Sequence, residues 1–247
     1  MDRRSFTKKA LVASTLFSLT TLTASDFTSN KNQKIVCIGG HPDDPETGCG
    51  GTLAKLSKNN HSVTIIYLTK GEAGIKGVSH EEAAKIRTKE AKASCKVLNA
   101  KRVFVGQVDG NTIVNNEWVN KLYKLLVKEK PDIVFTHWPI DTHKDHQVAS
   151  LLTIQSWAKM EKPFALYFYE VCTGSQTTGF TPTDYVDITL TQKQKRKAVY
   201  CHTSQNPDAI YKSDDCNHAL MEKFRGIEMN VTAAEAFVKM SGTIHLK

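Results

Sequence analysis

Two short clusters of histidine and aspartate carry the chemistry of this chain: His41-Pro42-Asp43-Asp44 and Asp141-Thr142-His143-Lys144-Asp145-His146. Imidazole and carboxylate without thiolate form a donor set suited to Zn2+ with an open coordination position. A catalytic zinc takes three protein ligands and leaves the fourth place to water. Pro42 stiffens the first cluster, so His41 and Asp44 can turn toward one metal while Asp43 points elsewhere. Either cluster alone reads as a solvated turn, because adjacent carboxylates are common there. The six cysteines contain no Cys-x-x-C pair, which argues against a thiolate zinc site.

The elements that must position these clusters alternate strand and helix. Short apolar runs at 34–38, 63–68, 102–105, 132–136 and 165–170 read as strands. Residues 48–59, 81–98, 116–130 and 146–160 read as the helices between them. That alternation predicts βαβ units in an α/β fold: one domain, a doubly wound, mostly parallel sheet with helices on both faces. The part from about Asp184 is expected to add one short strand and two helices. Such sheets bind ligands beyond the carboxyl ends of their strands. The first cluster follows the first strand and the second follows the fourth, so the two loops can meet where the strand order reverses.

At 247 residues with 40% hydrophobic and 23% charged residues, the composition is that of one globular domain. Residues 1–25 read as an export signal: Arg3, Arg4, Lys8 and Lys9, then an apolar run, then Thr23, Ala24 and Ser25. The Arg3-Arg4 pair looks like a twin-arginine signal. Residues 26–33 read as a linker and 34–247 as the domain, placed outside the cytoplasm, in the periplasm or beyond. The apolar run is too short for a stable membrane span. Without the signal the net charge falls from +8 to +5. Lys193, Lys195, Arg196 and Lys197 read as a solvated helix face, and no aromatic residues alternate with basic ones, which excludes a nucleic-acid platform. Cys37, Cys49 and Cys95 fall in apolar or helical runs and are expected buried and free, while a Cys201–Cys216 bridge stays open.

From about residue 34 to Phe237 the sequence resembles a known family. Gly40-His41-Pro42-Asp43-Asp44-Pro45-Glu46, Gly50-Gly51-Thr52-Leu53, Thr69-Lys70-Gly71-Glu72-Ala73-Gly74, Arg87 with Glu90, and His143-Lys144-Asp145-His146 are similar to the PIG-L/LmbE family of zinc-dependent deacetylases. Ser204-Gln205 and Glu235-Ala236-Phe237 look like late features of the same family. The resemblance implies a Rossmann-like fold, a zinc cofactor held by His41, Asp44 and His146, and a trimeric or hexameric assembly. It implies removal of an acyl group from an N-acetylated amino sugar or glycan fragment.

By the same resemblance Asp43 is the general base and His143 stabilises the oxyanion or protonates the leaving amine. Asp145 orients His143, or else only caps the following helix. Arg87 and Asp109 hold substrate hydroxyls, against a surface ion pair with Glu90 and a plain Asp-Gly turn. Glu72 either contacts substrate or shapes its loop. His137 reads as structural, and among the late histidines only His202 is expected near the pocket. Ligand chemistry agrees with the resemblance, since zinc lowers the pKa of a bound water to about 7. Two alternatives stand beside it. A zinc amidase on a non-sugar amide shares every motif. A nucleotide-binding module lacks its G-x-G-x-x-G turn and would set carboxylates against a pyrophosphate.

Overall fold

In the computed structural model, residues 32–161 and 163–240 are described; the expected export signal and nearly all of the expected linker fall outside them. Five strands run parallel: β1 (Lys34–Gly39), β2 (Ser62–Tyr67), β3 (Ala100–Phe104), β4 (Ile133–His137) and β5 (Ala165–Tyr169). Their order is β3-β2-β1-β4-β5, so the sheet reverses between β1 and β4.

Successive residues of a strand face opposite sides, and β1 supplies two cores accordingly. Ile35 and Cys37 join Leu53, Ala91, Leu98 and Phe135 on one face. Val36 and Ile38 join Val119, Leu122, Val148 and Leu152 on the other. The first face is covered by α1 (Asp44–Lys58) and α2 (His80–Leu98), the second by α3 (Asn116–Glu129) and α4 (Lys144–Lys159). This is the doubly wound arrangement that the alternation of elements predicts. Among the described residues, no helix is long and apolar enough to cross a membrane.

Helix α1 starts four residues before its expected bound, with Asp44 inside it and Pro45 in its first turn, where a missing N–H costs nothing. Its glycines serve packing. A Cβ on Gly48 would stand 2.3 Å from Tyr169 Cδ2, so the glycine lets the helix lie against β5.

Beyond residue 184 the chain differs from expectation. It forms two strands, β6 (Asp184–Asp187) and β7 (Ala234–Lys239), with α5 (Gln192–Val199), a 3-10 turn (Thr203–Gln205), α6 (Asp208–Tyr211) and α7 (Asn217–Met229) between them. Strand β7 lies between β5 and β6 and is antiparallel to both.

Lys195 corrects the reading of α5 as a solvated face. It is fully buried, with Nζ 3.0 Å from Glu222 Oε1 and 2.7 Å from Glu235 Oε1. Burial disfavours its charge, but the two glutamates outweigh that and hold its pKa well above the ordinary lysine value. Glu235 also accepts the backbone N–H groups of Gly51 and Thr52 at 2.9 and 2.7 Å, which fastens β7 to α1. All six cysteines are free; Cys201 Sγ turns to the Lys197 carbonyl and Cys216 Sγ to that of Asp208.

Candidate metal centre

The two clusters meet at the sheet's reversal point. Gly40 follows β1 at a point where a Cβ would crowd Asp44 Oδ2 and His146 Cδ2, both 3.2 Å away, so glycine brings the two loops together. Asp44 lies between two rings: its Oδ2 is 3.2 Å from His41 Nδ1 and its Oδ1 is 3.3 Å from His146 Nε2. The rings of His41 and His146 are 5.5 Å apart between centroids. Three overlapping trios among the described residues place their ligand atoms within 4.8 Å of one another: His41, His143 and His146; Asp44, His137 and His146; and His41, Asp109 and Asp145. The expected trio of His41, Asp44 and His146 is not one of these, but its members link all three.

Hydrogen bonds decide which nitrogens remain available. His137 is fully buried, stacks on His146 at 4.0 Å, and accepts the Gly40 N–H at Nε2 over 3.0 Å. That bond engages the nitrogen that also lies 3.3 Å from Asp44 Oδ2, so His137 ties the Gly40 turn to the site. Burial, with His146 beside it, lowers its pKa to about 4, so the ring is neutral. Burial also opposes charge on His146, yet Asp44 and Asp141 raise it to about 9. Burial would raise Asp44, but His146 and His41 hold it well below the carboxylate range. Asp44 favours protons on both flanking rings, His41 and His146. A divalent cation can replace such protons, and the donor chemistry fits one.

Asp43 takes an unusual backbone conformation, φ 115°, which costs about 1–3 kcal/mol at a non-glycine residue and clusters at functional sites. Its N–H donates to Glu46 Oε2 at 3.2 Å, and its carbonyl accepts from Thr47 N and Oγ1. Its carboxylate lies 3.0 Å from Arg87 Nη2. Burial raises the pKa of Asp43, and Arg87 opposes the rise.

Arg87 is buried and donates to the Pro42 carbonyl as well, so the surface ion pair with Glu90 is not made. Glu90 instead accepts from Thr203 Oγ1 and from Ser204 N and Oγ, docking the late turn onto α2.

Asp145 corrects the expectation that it orients His143. Its carboxylate is captured by Thr112 Oγ1 at 2.6 Å and the Gly110 N–H at 2.8 Å, which aims it at His41 Nε2, 3.1 Å away. It does not cap α4 either, because His143 does: Nδ1 of His143 accepts the Asp145 N–H at 3.2 Å. A neutral ring with Nδ1 accepting carries its hydrogen on Nε2. Burial, then His41 and His146, lower the pKa of His143 and keep it neutral.

Asp109 Oδ1 also lies 3.1 Å from His41 Nε2, and its Oδ2 accepts the Ala73 N–H. Glu72 shapes the loop: its Oε2 accepts N–H groups from Lys70 and Asp109.

These residues face a cavity of about 480 Å³ lined by His41, Asp43, Arg87, Asp109 and His143, with Gln205 and His218 on the far wall. His218 was not expected there, since nothing in its neighbourhood of the sequence marks it. His202 sits behind the site, Nε2 3.4 Å from the buried Glu46. Asp141 was visible in the second cluster but without a role; its Oδ1 is 3.1 Å from His146 Nδ1.

The PIG-L family, described as GlcNAc-PI de-N-acetylase, matches residues 36–157. A diacetylchitobiose deacetylase of Thermococcus kodakarensis is 30% identical over 197 residues, covering 74% of this chain and 73% of that protein. The chain belongs to the PIG-L family. Members of this deacetylase family are hydrolases of amide C–N bonds, and so is this chain. Among solved structures, the N,N'-diacetylchitobiose deacetylase of Pyrococcus horikoshii superposes with a TM-score of 0.74 at 30% identity, covering 84% of each chain. A conserved protein of Thermus thermophilus gives 0.72 at 28% identity, covering 87% of this chain and 97% of that one. A 4-carboxy-2-hydroxymuconate hydratase of Pseudomonas putida shares the PIG-L chain's fold at 18% identity and a TM-score of 0.67.

Proposed function

We propose that this chain is an exported zinc-dependent deacetylase that hydrolyses the N-acetyl amide of an amino sugar or a short amino-sugar glycan. The observation that carries the reading is Asp44 set between His41 and His146 at the β1/β4 reversal, with Asp43 and His143 facing the same cavity. His41, Asp44 and His146 would hold the zinc, with the carboxylates of Asp145 and Asp109 behind His41. Zinc bound there would supply a Lewis acid and a nucleophile at neutral pH.

The chain's own groups do the rest. Asp43, made more basic by burial, takes the proton of the attacking water at its carboxylate and returns it to the departing amine. Arg87 holds that carboxylate in place, and the bent backbone of Asp43 aims it. The Nε2–H of His143 donates to the oxyanion as the carbonyl becomes tetrahedral. A neutral ring suits a donor better than a general acid, so the oxyanion role is favoured over protonation of the amine. Asp109, Gln205 and Arg87 border the remaining space and can bind sugar hydroxyls.

The sugar substrate draws support from the two diacetylchitobiose deacetylases at 30% identity. Export draws support from the basic and apolar pattern of residues 1–25 alone, and the amino-terminal sequence of the secreted protein tests it.

Turnover and zinc content of Asp43→Asn and His143→Gln test the mechanism, with diacetylchitobiose, N-acetylglucosamine and N-acyl amino acids as substrates. Both variants keep stoichiometric zinc, and each loses about 100-fold or more in kcat. Zinc lost from His143→Gln would move that residue into the ligand set. Full turnover by Asp43→Asn would remove the base, and exclusive turnover of N-acyl amino acids would remove the sugar.

A further inference from the structure

Behind His146 stands a carboxylate that the reaction does not use. Asp141 is buried, and its Oδ1 lies 3.1 Å from His146 Nδ1 while accepting the His143 N–H at 2.8 Å. Its Oδ2 accepts the hydroxyl of Thr177 at 3.1 Å. That hydroxyl oxygen in turn accepts the Val171 N–H at 3.1 Å. Thr177 belongs to the loop after β5, some distance in sequence from either cluster. Backbone bonds stitch this loop to the one before α4: Thr142 N to Gln176 O at 3.0 Å and Thr178 N to Ile140 O at 3.1 Å, with a bridge between Asp141 and Thr177.

We propose that Asp141 is a positioning residue that fixes His146 for metal binding, and that Thr177 holds Asp141 to the task. The proposal rests on His146 being a metal ligand, as in the function proposed above. An acceptor at Nδ1 obliges that nitrogen to carry hydrogen, so Nε2, the nitrogen beside Asp44, is the one that can give up its proton and offer a lone pair to a metal. A carboxylate in this place also orients the ring and raises its basicity toward a metal. Because Asp141 has both oxygens engaged, it cannot swing away to ligate the metal itself. The neighbouring Gln176 lines the cavity, so the Thr177–Asp141–His146 chain also ties the substrate-facing loop to the ligand.

The test is zinc affinity, read by competition with a chelating dye, for wild type and for Asp141→Asn, Thr177→Val and Thr177→Ser. Asp141→Asn is expected to bind zinc about 10–100-fold more weakly. Thr177→Val, which removes one hydrogen bond to Asp141 but leaves the carboxylate in place, is expected to lose about fivefold, and Thr177→Ser, which keeps the hydroxyl, to stay within about twofold of wild type. The visible spectrum of the cobalt-loaded protein should shift in Asp141→Asn, since the ring orientation changes. A purely structural role would lower the melting temperature of the metal-free protein and leave both readouts alone, and zinc affinity of Asp141→Asn within about twofold of wild type overturns the proposal. If that variant does not fold, the Thr177 pair decides, and equal affinities of Thr177→Val and Thr177→Ser overturn it. A wild-type chain that binds no zinc sinks the proposed function as well. One that binds zinc and deacetylates sugars while Asp141→Asn is unchanged sinks this inference alone.

Discussion

Replacing Lys195 by methionine leaves Glu222 and Glu235 buried without their cation. Methionine keeps most of the stem that packs on Gly50, where a Cβ would meet Lys195 Cγ at 3.1 Å, so the loss reports the charge rather than a cavity. Removing one partner of a buried ion pair costs about 3–5 kcal/mol. Here Glu222 retains the Tyr211 hydroxyl at 2.5 Å, the Gln192 amide at 3.0 Å and the Arg196 guanidinium at 3.5 Å, and Glu235 retains the Gly51 and Thr52 N–H groups. The lower end therefore applies, about 3 kcal/mol. That is about a fifth to three fifths of the roughly 5–15 kcal/mol that holds a domain folded. It lowers the melting temperature by about 6–12 °C at this chain length.

The sign with pH follows from Glu222. Burial works against its charge, but Lys195 and the Tyr211 hydroxyl hold its pKa below the usual value. In wild type its contribution is full above about pH 4.3 and is lost as the pH falls through its depressed folded pKa. In Lys195→Met burial is no longer opposed by the cation, Glu222 takes a proton more readily, and the deficit shrinks on acidification. Urea unfolding of metal-free wild type and variant near pH 7.5 and pH 5 measures both effects. A deficit below about 1 kcal/mol near pH 7.5, or one that grows toward pH 5, would show that Lys195 is not what neutralises this cluster.

Two further outcomes follow from particular contacts. In the metal-free protein His146 is raised to about 9, above its unfolded value near 6.5. Its contribution to stability is full below about pH 6.5 and is lost as the pH rises through about 9, so urea midpoints that stay flat between those values would refute the pairing with Asp44 and Asp141. Gly48→Ala drives a Cβ to within 2.3 Å of Tyr169 and 3.0 Å of the Glu170 carbonyl; overpacking of this kind costs about 1–3 kcal/mol, and wild-type stability of the variant would mean that α1 does not press on β5.

Strands β1 to β5 and their helices were legible because buried parallel strands write themselves as unbroken apolar runs, as Val36 to Ile38 do. The two metal-site loops were legible because both clusters follow such runs. The C-terminal part was harder. Strand β7 reads Ala-Glu-Ala-Phe-Val-Lys, an alternation that a helix could equally carry, and its place inside the sheet depends on tertiary pairing. Lys195 misled because a lone lysine among basic neighbours gives no sign that Glu222 and Glu235 converge on it from far along the chain. The direction of Asp145 was likewise invisible: Thr112 and Gly110, which turn it to His41, sit in a loop more than thirty positions earlier. Arg87 was singled out for substrate hydroxyls; its grip on Asp43 was not legible, because it needs the close approach that Gly71 and Gly74 allow.

The insertion of β7 between β5 and β6 bears on how the chain matures during synthesis. Among the described residues strand β6 pairs with β7 alone, so until residues 234–239 emerge it lacks that partner. The same segment brings Glu235, without which Gly51 and Thr52 on α1 lack an acceptor and Lys195 lacks one of its two counter-charges. A nascent chain in which β5 has formed but residues 234–239 have not therefore presents an open edge on β5, with the Gly51 and Thr52 N–H groups still lacking Glu235. Exposed strand edges of that kind invite pairing with other chains, so a chain stopped short of β7 is exposed to aggregation.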